Sequence, residues 1–164
     1  MVRYAAFSPD GARIITGSTD KTAKIWDSKT GKLLLSIDGG HRRAVLRVAF
    51  SPDGKRVITG AADKFAKIWD STTGELLVTL EGGHKRILSI TMFSRDGRLV
   101  LTAAHDKTAR VWDAATGATV GALTEHTKEV DTAEFSPDGT YVLTSSFDGL
   151  VKVWPLPAQA TAEK

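Results

Sequence analysis

Asp20–Leu34 reads DKTAKIWDSKTGKLL, and close copies return as DKFAKIWDSTTGELL at Asp63–Leu77 and DKTARVWDAATGATV at Asp106–Val120. A fourth, DGLVKVWPLP, occupies Asp148–Pro157. In each copy a Trp stands six residues after an Asp. Outside these stretches the same repetition continues. FSPDG begins at Phe7, Phe50 and Phe135 and FSRDG at Phe93, giving spacings of 43, 43 and 42 residues. His41, His84 and His126 keep the same step. A fixed period of this length with short strands inside it marks an array of repeated supersecondary units. No composition shift or linker separates the units, so residues 1–164 read as a single array.

Within each unit the apolar pattern is that of strands. RIITG, RVITG, LVLTA and YVLTS are β-branched stretches entered from a turn ending in Asp-Gly. AKIWD and VKVW alternate apolar with polar residues, and KLLLSI and ELLVTL follow a Thr-Gly turn. The stretch before each Phe-Ser, such as AVLRVAF, supplies one more strand. Four strands per unit follow, and no stretch carries helical periodicity.

The composition narrows the chemistry. Of 164 residues 41% are apolar, enough for an ordinary core, and 22 Lys+Arg against 19 Asp+Glu leave a net charge of +3. Zero Cys excludes disulfides, thiolate metal sites and thiol nucleophiles. With no Asn there is no glycosylation sequon. No phosphate-binding loop, dinucleotide fingerprint or calcium loop occurs, and the Trp and Phe residues recur at core positions rather than as base-stacking platforms. No cofactor and no metal are expected. No long apolar run or leader is present, so a cytoplasmic protein without membrane contact is expected.

A Gly-His, a strand, FSPDG, a second strand, an Asp, a third strand ending in Trp-Asp and a Thr-Gly turn together resemble the WD-repeat β-propeller family, over residues 2–154. The resemblance implies an all-β fold of four-stranded antiparallel blades at about 2–37, 44–80, 87–123 and 130–154, with a tail at 155–164 and the last blade incomplete. The fourth unit departs from the family pattern, because Pro155 replaces the Asp after Trp154. The family also implies a buried hydrogen-bonded tetrad in each blade. Carried over by spacing, these are His41, Thr59, Asp63 and Trp69; His84, Thr102, Asp106 and Trp112; and His126, Thr144, Asp148 and Trp154. Blade one offers only Thr16, Asp20 and Trp26. A Thr, a His and an Asp in this order also match a nucleophile triad, but three evenly spaced copies point to a structural clamp, and no catalytic residue is assigned.

Family members often contact partners through top-face loops, and the corresponding positions here are Ala44, Leu46, Ile87, Ser89, Glu129 and Asp131, with Thr19, Ala62, His105 and Phe147 just before the tetrad Asp. Arg42, Arg43, Lys85, Arg86 and Lys128 follow the tetrad His residues and make this face basic. Either a solvated charge ring or a site for an anionic partner fits these residues. Three functions remain open: a protein-interaction scaffold, a purely structural unit or fragment of a larger propeller with no ligand of its own, and weak anionic-ligand binding. Nucleic acid is not the expected partner. Family propellers close with about seven or eight blades. Four blades span about half a ring, so a two-fold homodimer closing an eight-bladed ring is expected.

Overall fold

A computed structural model describes residues 1–156. Of the expected tail at 155–164, residues 157–164 lie outside the described residues. Among the described residues fifteen strands form four antiparallel meanders, each strand paired with its neighbour in sequence. Blade one holds β1 (Val2–Phe7), β2 (Arg13–Ser18), β3 (Ala23–Asp27) and β4 (Leu33–Ile37). Blade two holds β5 (Val45–Phe50), β6 (Arg56–Ala61), β7 (Ala66–Asp70) and β8 (Leu76–Leu80). Blade three holds β9 (Leu88–Phe93), β10 (Leu99–Ala104), β11 (Ala109–Asp113) and β12 (Thr119–Leu123). Among the described residues blade four holds β13 (Val130–Phe135), β14 (Tyr141–Ser146) and β15 (Val151–Pro155). β15 runs one residue past Trp154, the expected end of that strand. At the place of Pro155, Asp70 of blade two gives its N–H to the Glu75 carbonyl, a bond that proline cannot make.

Turn chemistry fixes the hairpins. Gly11, Gly54, Gly97 and Gly139 close the β1–β2-type turns in the left-handed region, at φ between 69° and 73°. A side chain at these positions would strain the backbone, so the Asp-Gly pair is required there. At the β2–β3-type turns the left-handed residue is Lys21, Lys64 or Lys107, and only the fourth unit uses glycine, Gly149.

The blades stack face to face. β1 packs on β5, β5 on β9 and β9 on β13, so one inner strand from each blade lines the same side. Three apolar clusters fill the seams. Ile15 and Ile25 meet Val48, Val57 and Trp69; Ile58 and Ile68 meet Leu88, Val100 and Trp112; Leu101 and Val111 meet Val142 and Trp154. Internal strands are therefore buried on both faces, as in β6 and β10, where binary alternation disappears. In β14 the alternation returns, because one of its faces is open. Arginines clamp the first two seams at the end opposite the Asp-Lys turns. Arg13 donates to the Gly54 carbonyl (2.6 Å) and Ser71 Oγ (3.0 Å) and lies over the Phe50 ring; Arg56 donates to the Gly97 carbonyl (2.6 Å) and lies over Phe93.

Candidate functional site

The β4–β5-type loops deliver the histidines. In blade two, Trp69 Nε1–H donates to Thr59 Oγ1 (2.8 Å), Thr59 Oγ1 lies 2.7 Å from His41 Nε2, and His41 Nδ1 lies 3.0 Å from Asp63 Oδ2. Blade three repeats this with Trp112, Thr102, His84 and Asp106 at 2.8, 2.7 and 3.1 Å. Blade four does so with Trp154, Thr144, His126 and Asp148 at 2.8 Å throughout. An ionised carboxylate can only accept, so the His Nδ1 carries a proton facing it, and the Thr hydroxyl, which accepts from the indole N–H, keeps its own proton to offer. In blade one, Trp26 donates to Thr16 (2.9 Å), while Asp20 accepts from the Thr22 N–H and hydroxyl of its own turn.

The aspartates are wired for the ionised form. Burial acts to raise the pKa of Asp148, but the Thr127 N–H, the His126 imidazole and the Leu150 N–H outweigh it and hold the carboxyl at about 2. Burial is likewise opposed at Asp63 by His41 and the Arg42 N–H, and at Asp106 by His84, the Thr108 hydroxyl and the Lys85 N–H, and both are lowered. The backbone bonds from Arg42, Lys85 and Thr127 (2.7–2.9 Å) staple each incoming loop to its blade. Thr59, Thr102 and Thr144 have no exposed surface, so their hydroxyls cannot meet a substrate. Among the described residues no group of three or more His, Cys, Asp or Glu could hold a metal ion.

The β2–β3-type turns and the histidine loops share one face of the array. Arg42, Arg43, Lys85, Arg86, Lys128, Thr19, Ile87, Asp131 and Phe147 are exposed on or beside it, and Ala44, Leu46, Ala62, His105 and Glu129 are half-buried. Ser89 does not belong to this open surface. It is 6% exposed, and its hydroxyl donates to the Val130 carbonyl across the seam (2.8 Å), because β9 turns it toward β13. Between blades three and four the face opens into a cleft of about 480 Å³, lined by Lys85, Arg86, His105, Lys128, Glu129 and Phe147. Lys107 and Thr127 line it as well. Sequence spacing passes over both, although Lys107 follows a tetrad Asp and so had a usable signal.

A second set of residues also went unread in the sequence. On the outward face of blade one, Phe7 is 67% exposed, whereas its counterpart Phe50 is 8% exposed. On the outward face of blade four, Leu143 and Val153 are 36% and 61% exposed, whereas Ile58 and Ile68 at the same places in blade two are fully buried. Tyr141 and Val151 join that face, as does Glu134 opposite Leu143 on β13, and the exposed Asp131 stands at the bulge of that strand. Among the described residues no helix is long and apolar enough to cross a membrane.

The family model described as WD domain, G-beta repeat matches residues 2–27, 31–70, 74–113 and 117–155. The first segment takes β1–β3, and each later one takes the outer strand of one meander with the first three strands of the next (β4 with β5–β7, β8 with β9–β11, β12 with β13–β15); together they include every Trp and all three histidine relays. The chain therefore belongs to the WD-repeat family, with four repeats across residues 2–155.

Proposed function

We propose that this protein is a non-catalytic scaffold for protein–protein interaction that assembles as a half-propeller, with two copies closing an eight-bladed ring. WD repeats generally serve as interaction scaffolds, and the relay hydroxyls here are sealed from solvent. In this reading the relays are structural clamps that hold each loop of the recognition face to its blade.

The observation that carries the assembly is the pair of outward faces. Leu143, Val151 and Val153 repeat the surface with which Ile58, Ala66 and Ile68 cover blade three, and Phe7 and Trp26 repeat the surface that Phe50 and Trp69 offer to blade one. Each outward face is thus shaped for the other, and a two-fold axis satisfies both with identical interfaces. Charge agrees: Asp131 and Glu134 stand on β13 and Arg3 on β1, the strands that such a closure brings together. Tyr141 occupies the place of Arg13 and Arg56, so across the new seam it faces Phe7 of the second copy, as those arginines face Phe50 and Phe93.

Light scattering is expected to give twice 17.6 kDa at micromolar concentration. Val153→Glu together with Leu143→Lys is expected to give a folded monomer by mass and circular dichroism. A wild-type protein that is a monodisperse monomer at the same concentration overturns the closure.

A further inference from the structure

We infer that the cleft between blades three and four docks an acidic peptide segment of a partner protein, one whose carboxylates flank an apolar residue. The inference rests on the scaffold reading and supplies its partner chemistry.

Lys85, Arg86, Lys107 and Lys128 bring four cations to one cleft of about 480 Å³. Two carboxylates line it with them, and one of these is already committed. Asp106 gives both oxygens to His84, the Lys85 N–H and Thr108. The other, Glu129, stands 3.8 Å from Arg86 Nη1 and 3.8 Å from His105 Nδ1, too far to hydrogen-bond either. Among the described residues Lys85, Lys107 and Lys128 have no carboxylate within ion-pair distance. The cleft is therefore an excess of positive charge around a loosely held carboxylate. That carboxylate marks the place a ligand's own acid would take, between Arg86 and His105.

An apolar element sits within the same cleft. Phe147 is 60% exposed, yet its backbone is fixed by an N–H bond to the Glu129 carbonyl (3.0 Å). An exposed aromatic on an anchored backbone, beside unpaired lysines, selects a ligand carrying both an apolar group and anions. A peptide meets that description over the few residues the cleft admits. Nucleic acid is recognised through phosphates strung along an extended basic stripe, and its bases would need more than one aromatic platform.

The test uses the full chain and a fluorescein-labelled octapeptide with one central Leu flanked by Glu residues, read by anisotropy. The same peptide with Gln for Glu and a ten-residue oligothymidylate serve as competing probes. Saturable, salt-sensitive binding of the Glu peptide and none of the Gln peptide is expected. Lys85→Glu with Lys128→Glu should weaken binding by about tenfold or more, and Phe147→Ala by about fivefold. Glu129→Gln should tighten it by about threefold, because the internal competitor is neutralised. Glu75→Gln, in the β7–β8 turn on the opposite face, makes the same change in net charge and should leave binding unchanged. No binding of the Glu peptide, binding indifferent to the double reversal, or tighter binding of oligothymidylate each overturns the inference. A ring that binds no acidic peptide leaves the assembly standing, and a monomer that binds it removes only the ring.

Discussion

A methyl group added at Gly40 would overlap the tip of the Trp69 indole, and one at Gly83 would lie 2.5 Å from Trp112 Cη2. Neither indole can retreat, since each is packed in a seam and tied by its N–H to a threonine. Gly40→Ala is therefore expected to lower stability by about 2 kcal/mol or more, measured by urea denaturation. His84→Ala, which strips the Thr102 hydroxyl and the Asp106 carboxylate of their partner, should cost about 1–4 kcal/mol. An unchanged midpoint for either variant would refute the packing described. The Gly-His pair was legible as a motif, but the need for glycine was not, because it arises from a ring approaching across a seam. In the last repeat Glu125 takes that place, bonded to Lys152 (3.2 Å), and Trp154 is only half-buried. The relay carboxylates also set a pH dependence. Asp63, Asp106 and Asp148 have folded pKa values below the ordinary 3.8, so they stabilise the fold above about pH 4. That stability is lost as pH falls through the folded values, which for Asp148 is about 2. The urea midpoint should drop between about pH 4 and pH 2, with a shallower drop in Asp148→Asn.

Among the strands, β9 carries a correctable flaw. The Thr91 hydroxyl is buried against Gly60 and has no hydrogen-bond partner among the described residues. At the same place in β5 stands Val48, packed over Gly17. Thr91→Val keeps the shape and removes an unpaired polar group, so thermal denaturation should show a gain of about 1 kcal/mol. A loss would mean that the hydroxyl is satisfied in solution. Turn glycines and β-branched runs are local signals, so RIITG falls within β2 and RVITG within β6. Which strand faces are doubly buried was not legible. RIITG and YVLTS read alike, yet Ile15 is sealed and Leu143 is not, since the difference lies in having a neighbouring blade.

At the scale of the molecule, the array was legible from its period and the family from the Gly-His, FSPDG and Trp-Asp motifs spaced within it, while the cleft was not. Its cations come from loops of two different blades, and only the stacking brings Lys85 and Lys128 to one opening. The stacking has a further consequence for how the protein comes apart. Each sheet is a meander of chain neighbours and packs on the sheet next to it, so stability propagates as in a one-dimensional lattice of coupled units. Blades two and three hold two couplings each, and the terminal blades hold one. Amide hydrogen exchange should then be slowest in β6 and β10 and faster in β2 and β14, so that opening begins at the ends and travels inward. If copies close on one another, the end units gain their missing coupling by mass action. Protection of β2 and β14 should then rise with protein concentration while that of β6 and β10 changes less.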